Sequence, residues 1–212
     1  KLKNKYLGKF GDLACFSFHY TKNIHTGSGG MLVVNNKKLL RKISYVYDKG
    51  TNRADQITGK IKYYSWVTLG SNFLMTELHA SYLIEQLRKY HKVISYRKRI
   101  YKNYLKYIKY NYKFKLIIKT KYLYNYHALV LYCKMNKAQQ LINYLNKFKI
   151  QAFIGYYPLH LSRKGREYFR GKKFSLINTE NAFKRIVRLP LHTDMKVSQV
   201  KYISSKINEF FH

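Results

Sequence analysis

The sequence predicts an α/β chain. Two short apolar runs, Leu13–Phe18 and Met31–Val34, have the length and composition of buried strands and bracket a glycine-containing loop. Beyond residue 128, strand-like runs alternate with helical periodicity, which indicates a layered α/β or α+β arrangement and not a bundle. No internal repeat is visible.

The elements follow in order. From Lys37 to Asp48 the apolar positions Leu39, Leu40, Ile43, Val46 and Tyr47 recur at helical spacing. Residues 49–76 are polar and punctuated by Gly50, Gly59 and Gly70, a loop-rich stretch. Thr76 is a suitable N-cap with Glu77 in the first turn behind it. The stripe Leu83, Leu87, Tyr90, Ile94, Tyr101, Leu105 and Ile108 predicts one long helix from there. A strand at Ala128–Cys133, a helix at Lys137–Phe148, a short strand at Gln151–Ile154 and two further helices ending at Phe211 complete the reading. Tyr101–Tyr126 is nearly low-complexity Lys/Tyr. Its spacing fits a helix followed by a strand hairpin, and its composition also fits a stacking platform for single-stranded nucleic acid.

The 212 residues carry 42 Lys+Arg against 9 Asp+Glu, a formal net charge of +33. Such a balance can mark a polyanion partner. However, the basic residues are mostly lysines spread from Lys1 to Lys206. Lys, Asn, Tyr, Ile and Phe fill nearly half the chain while Ala, Gly and Pro are scarce. That skew is the signature of an A/T-rich coding bias, so the expectation is scattered lysines and no specific nucleic-acid site. Cys15 and Cys133, the two cysteines, stand in apolar runs and read as small core residues, with no metal-ligand spacing around them. No apolar stretch approaches the ~20 residues of a membrane span and no signal-peptide core is present. These features predict a soluble, cytoplasmic protein without membrane or metal.

The chemistry concentrates in Cys15-Phe16-Ser17-Phe18-His19-Tyr20-Thr21-Lys22-Asn23, followed by Gly27-Ser28-Gly29-Gly30-Met31. A hydroxyl (Ser17) and an amine (Lys22) stand five positions apart behind a β-type run and ahead of a glycine cluster. This suits a lysine that condenses with the aldehyde of pyridoxal 5'-phosphate (PLP). The neighbouring hydroxyl would hold the cofactor's phosphate, and the glycines would admit close backbone approach.

The Ser-Phe-His-x-x-Lys-Asn run resembles the DegT–StrS family of sugar aminotransferases, PLP enzymes of fold type I. The likeness continues through Lys49-Gly50-Thr51-Asn52-Arg53, Tyr64-Ser65-Trp66, Gly70-Ser71-Asn72-Phe73-Leu74-Met75, Tyr156-Tyr157-Pro158-Leu159-His160 and Arg188-Leu189-Pro190-Leu191, and so covers nearly the whole chain. It implies the C-terminal portion of the large domain over residues 1–88 and a small C-terminal α+β domain over 89–212. It further implies Lys22 as the catalytic amine and proton carrier, with Ser17 and Asn72 on the cofactor phosphate, Asn72 reaching that of a neighbouring subunit in a homodimer. Lys49 and Arg53 would face the diphosphate of a nucleotide sugar, and Tyr156 and His160 would lie near the sugar. His19 is expected to pack beneath the loop.

The implied reaction moves an amino group from a donor such as glutamate to a dTDP-4-keto-6-deoxyhexose. The branch it resembles serves enterobacterial common antigen and lipopolysaccharide synthesis. One departure is Ser28, where the family usually has Glu. The family's carboxylate for the pyridine nitrogen, its ring-stacking aromatic and its phosphate-binding Gly-Thr segment correspond to positions before Lys1. The chain therefore reads as the truncated C-terminal part of an aminotransferase, inactive alone: a fragment, or one half of a split enzyme with a separate N-terminal half. The other readings are a decayed, non-catalytic remnant and a basic nucleic-acid-binding protein on the same scaffold.

Overall fold

The structure, a computed structural model, describes residues 2–117, 125–169 and 175–212. The chain divides into two compact units, Lys1–Tyr90 and His91–His212.

The N-terminal unit is built on an antiparallel pair, β1 (Leu13–Ser17) and β2 (Gly30–Val34), in register from Leu13 opposite Val34 to Ser17 opposite Gly30. A 3-10 turn over Lys37–Leu39, capped by the Asn36 side chain, leads into α1 (Leu40–Tyr47). A short helix, α2 (Arg53–Ile57), follows. Then comes α3 (Glu77–Arg88), whose N-cap Thr76 accepts the His79 N–H as the sequence predicts. The apolar strands point to burial, yet Leu13, Phe16, Met31 and Leu32 are exposed. An apolar run states that a strand wants cover. It does not say what supplies it, and this unit supplies none. Cys15, expected in the core, is exposed for the same reason.

The C-terminal unit has a closed core. The expected single helix is interrupted at Lys89, after which α4 (Tyr90–Tyr107) presents Ile100, Tyr101 and Tyr104 inward. Four strands, β3 (Phe114–Leu116), β4 (Leu129–Cys133), β5 (Phe153–Ile154) and β6 (Ile186–Leu189), form an all-antiparallel sheet in the order β3-β4-β6-β5. The helices are α5 (Ala138–Lys147), α6 (Arg163–Tyr168), α7 (Ile177–Phe183) and α8 (Val197–Phe211), so three follow the short strand where the sequence suggests two. Alternation along β4 and β6 sends Leu129, Leu131, Cys133, Val187 and Leu189 into one cluster with α4, α5 and α8. Burial pushes the Cys133 thiol up to about 12, as befits an inert core residue.

Arg97, buried on α4, donates to the Tyr126, His127 and Leu191 carbonyls at 2.7–2.8 Å and so spends its charge on backbone acceptors. Tyr101 and Tyr104 belong to this core, which removes two members of the supposed stacking platform. The remainder of that stretch over 118–124 lies outside the described residues. No helix is long and apolar enough to cross a membrane, and no cluster of metal-ligating side chains occurs, among the described residues.

Candidate active site

The β1–β2 ladder does not stop at Ser17. Phe18 N–H donates to the Gly29 carbonyl and Tyr20 N–H to the Gly27 carbonyl, both at 2.9 Å, so the pair extends as a hairpin whose tip carries Lys22. Phe18 turns inward and Thr26 is buried beside it, its hydroxyl donating to the Ser28 carbonyl. His19 does not pack beneath the loop. It is exposed, with Nδ1 3.0 Å from the Thr21 hydroxyl, because Phe18 takes the inward position. Gly29 (φ +149°) is required where it stands: a Cβ there would lie 2.9 Å from Thr26 Oγ1 and 3.0 Å from Met75 Cε. The same contact seats the loop against the segment that follows Asn72.

At the tip, Lys22 N–H donates to the His19 carbonyl at 2.9 Å, and Ser17 Oγ accepts the His19 N–H at 3.4 Å. The two groups therefore flank one turn. Both are exposed, and the Lys22 amine has no hydrogen-bond or ion-pair partner among the described residues. Ser17 spends only an acceptor site, so its O–H remains available, and Asn72, which accepts from Leu74 N–H at 3.4 Å, keeps its amide N–H groups. An amine, a hydroxyl and an amide, all uncommitted, suit an aldehyde- and phosphate-bearing cofactor. These residues fit PLP on its aldehyde side and at its phosphate. Lys22 itself stands exposed on this unit, not recessed in a cleft.

A second cluster surrounds Lys49-Gly50-Thr51-Asn52-Arg53. Lys49 N–H reaches the Ser71 carbonyl, Val67 and Thr68 N–H converge on the Gly50 carbonyl, and Ser65 N–H donates to Asn52 Oδ1 at 2.7 Å. Asp48 and Asn72 face one another as bridge partners. The backbones cross so closely that a Cβ on Gly50 (φ +74°) would sit 1.8 Å from the Thr68 carbonyl oxygen, and one on Gly70 2.3 Å from Gly50 N. Lys49 itself adopts φ +59°, an uncommon left-handed geometry for a side-chain-bearing residue. Asp48 holds the two cations: Lys49 Nζ at 2.9 Å and Arg53 at 4.0 Å. Beneath them the buried Asp55 accepts the Tyr45 hydroxyl and Arg41 at 3.2 Å, with Lys60 at 3.8 Å. The Tyr45 hydrogen bond, with help from the cations, holds its carboxyl below the usual aspartate range. The structure thus gathers Lys49, Arg53 and the Asn72 turn into one strapped assembly.

Tyr156 and His160 belong to the C-terminal unit. His160 is buried, with Nε2 3.0 Å from Glu180 Oε1, and serves as a pin between its 3-10 turn and α7. Glu180 also accepts Ser175 Oγ and Leu176 N–H at 3.2 Å, and these bonds, His160 first, lower its pKa. Tyr157 packs edge-on to Phe183. Held this way, the segment leaves Tyr156 84% exposed, with the Arg188 guanidinium 5.9 Å from its ring centroid. Asp48, Asp55 and Glu180 stand in none of the sequence motifs, and Arg188 enters only as part of the Arg188-Leu189-Pro190-Leu191 block. With nine acids against 42 bases, every carboxylate is a candidate organiser, and that scarcity was the available signal.

Residues 1–208 match the DegT/DnrJ/EryC1/StrS aminotransferase family. GDP-perosamine synthase of Escherichia coli O157:H7 is 30% identical over 213 residues, spanning 100% of this chain and 55% of that protein. Among solved structures, Helicobacter pylori PseC, an aminotransferase involved in the biosynthesis of pseudaminic acid, superposes with a TM-score of 0.87 at 22% identity, over 100% of this chain and 56% of that one. The E. coli GDP-4-keto-6-deoxy-D-mannose-3-dehydratase with bound hydrated PLP gives 0.80 at 18% identity, over 97% and 57%. The chain therefore has the α/β fold of this family and spans about half the length of the relatives it matches.

Proposed function

The chain belongs to the DegT/DnrJ/EryC1/StrS aminotransferase family, and from that premise we propose that it is the lysine-bearing part of a PLP-dependent sugar aminotransferase. The observation that carries this reading is the pairing of an uncommitted amine, Lys22, with an uncommitted hydroxyl, Ser17, on either side of one hairpin turn. PLP, when bound, supplies the aldehyde and the electron-withdrawing ring that make removal of a proton next to the donor's nitrogen feasible. Lys22 contributes the nucleophilic amine and then carries that proton. Ser17 donates its O–H to the phosphate, and Asn72 its amide N–H, the latter from the partner in a homodimer. Exposed Tyr63, Tyr64, Trp66, Leu69 and Phe73 around Asn72 supply the apolar surface such a dimer would bury.

The acceptor would be a nucleotide-linked 4-keto-6-deoxy sugar and the donor glutamate. Lys49 and Arg53, already turned toward one carboxylate, would exchange Asp48 for the sugar's diphosphate. Relatives named for GDP- and UDP-linked sugars leave the base open, so dTDP is one member of the class proposed here. Residues 1–88 would be the end of the large domain and 89–212 the small one, in a cytoplasmic enzyme of surface-polysaccharide synthesis. The carboxylate for the ring nitrogen and the backbone amides for the phosphate would come from residues outside these 212.

The test supplies the N-terminal half of the E. coli O157:H7 relative together with this chain and follows 2-oxoglutarate formed from glutamate with the keto-sugar. Turnover that Lys22→Ala abolishes is expected, whereas the chain alone should show unselective lysine labelling when treated with PLP and borohydride. Turnover that survives Lys22→Ala overturns the reading.

A further inference from the structure

Helix α5 ends on a glycine-type cap that contains no glycine. Ile150 N–H donates to the Leu145 carbonyl at 3.1 Å and Lys149 N–H to the Asn146 carbonyl at 2.9 Å, the paired bonds of a Schellman turn. The turn holds Lys149 at φ +60°, a conformation that glycine adopts freely and a side-chain-bearing residue does not. Residues strained in this way collect at functional sites. Lys149 borders a cavity of about 350 Å³ in the C-terminal unit, between this turn, the chain after Pro190 and the first turns of α8. None of the residues assigned above to the cofactor or the sugar lines it. Its floor is apolar, with Ile150, Met195 and Ile203 at most 6% exposed. The Phe148 and Tyr202 rings belong to its wall. The Lys206 ammonium, 4.4 Å from the first ring and 5.8 Å from the second, is tied to Glu209 at 2.7 Å. Two polar groups of the rim are uncommitted donors. Gln199 Oε1 accepts the Lys196 N–H at 2.8 Å, which leaves its amide N–H groups free, and the Lys149 ammonium has no hydrogen-bond or ion-pair partner among the described residues. No carboxylate is among the residues that line this cavity.

An apolar hollow hydrates poorly and gains free energy by taking an apolar body, and ligand pockets begin at roughly 300 Å³. A cation at the mouth without an anion, beside a second donor, selects a negatively charged end, and the apolar floor strengthens that attraction. We propose that this cavity is a binding site for a small carboxylate with a flat apolar body, the arylacetate class. The ring would rest on Met195 and Ile203, and the carboxylate would accept from Lys149 and the Gln199 amide. The left-handed lysine then has a role: it weakens its own turn and supplies the charge that the site needs. The proposal is independent of the aminotransferase reading, because it is read by binding and not by turnover.

The chain has four methionines, and of these Met195 alone lines the cavity. Methyl NMR of the full chain carrying labelled methionine follows all four signals, with Met195→Leu assigning the one of interest. Sodium phenylacetate, phenylacetamide or sodium acetate is added at matched ionic strength. A saturable shift of the Met195 signal alone is expected with phenylacetate, an affinity about tenfold weaker or more for the neutral phenylacetamide, and no saturation with acetate. Lys149→Gly places glycine in the turn, so it should leave the unfolding midpoint of the C-terminal unit unchanged or raised while weakening phenylacetate binding about threefold, as loss of an exposed charge contact does. Lys149→Asn, which also tolerates the left-handed geometry, should weaken it equally. No shift at Met195, equal shifts at Met31, Met75 and Met135, equal affinity for phenylacetamide, or an affinity unchanged in both variants overturns the proposal. So does a loss of affinity that comes with a lowered midpoint in both, which would assign Lys149 to the structure of the turn alone.

Discussion

In the C-terminal unit Leu131, Leu141 and Ile207 have no exposed surface, whereas in the N-terminal unit Trp66, Leu69 and Leu78 stand 72–83% in solvent. The difference separates two ways of holding a backbone. The C-terminal unit packs one contiguous cluster from four strands and three helices, and apolar burial at roughly 25 cal/mol per Å² is the term that carries a domain. The N-terminal unit is fastened instead by loop-to-loop hydrogen bonds around Gly50 and Gly70 and by the carboxylates of Asp48 and Asp55. Each such bond contributes only about 1 kcal/mol net, because water offers the same partners to the unfolded chain. The residues proposed for catalysis thus sit on the part with the least core, so the precision of the Lys22 site depends on whatever covers its apolar faces.

The sharpest way to break this contrast is to delete the same side chain in each unit. Leu141→Ala removes a fully buried leucine of α5 and should cost about 2–5 kcal/mol through lost transfer energy and the cavity left behind. Leu69→Ala removes an exposed one and should change stability by less than about 0.5 kcal/mol. Chemical denaturation of the full chain reads both, and equal costs would mean that the N-terminal leucine is covered.

Next comes the crossing at Gly50. A methyl group placed 1.8 Å from the Thr68 oxygen, on a residue at φ +74°, forces the 49–53 and 65–71 segments apart. Gly50→Ala should cost at least the ~1–3 kcal/mol of a strained backbone. The effect should be local. Trp66, the single tryptophan, bridges to Thr51 across this crossing, so its emission should change while the melting of the C-terminal unit stays unchanged. A lowered C-terminal melting point would tie the two units into one cooperative body.

The contrast also explains what was legible in the sequence. Apolar runs and periodicity located β1, β2 and α5 within a residue or two and the end of α8, and Thr76 announced its helix, because local chemistry decides such features. The interruption at Lys89 escaped, since the apolar stripe runs through it without proline or glycine. The exposure of Phe16 and Met31 escaped because hydrophobicity records a need for cover and not its presence. At the site, the Ser17–Lys22 spacing was readable because one hairpin holds both. The partners of His160 and Tyr156 were not, since Glu180 and Arg188 arrive from elements 20 or more residues away.

The smallest effect is the most discriminating, because each unit carries one organising carboxylate. Asp55 is held below its ordinary value of 3.8 by the Tyr45 hydroxyl, then by Arg41 and Lys60; Glu180 is held below 4.5 by His160, then by Leu176 N–H and Ser175. A carboxyl whose pKa is lowered by folding contributes its stability in full above the unfolded value and loses it as the pH falls through the folded one. Both contributions should therefore be intact at pH 5 and fade progressively below about 4. The two fade in different places. Acidification should shift Trp66 emission through Asp55, and Asp55→Asn should flatten that response while leaving the acid dependence of C-terminal melting in place. Glu180→Gln should do the reverse, since its amide keeps a bond to His160 but no longer titrates. If either variant flattened both responses, the two carboxylates would be coupled, and the division into a cored unit and a strapped one would be wrong.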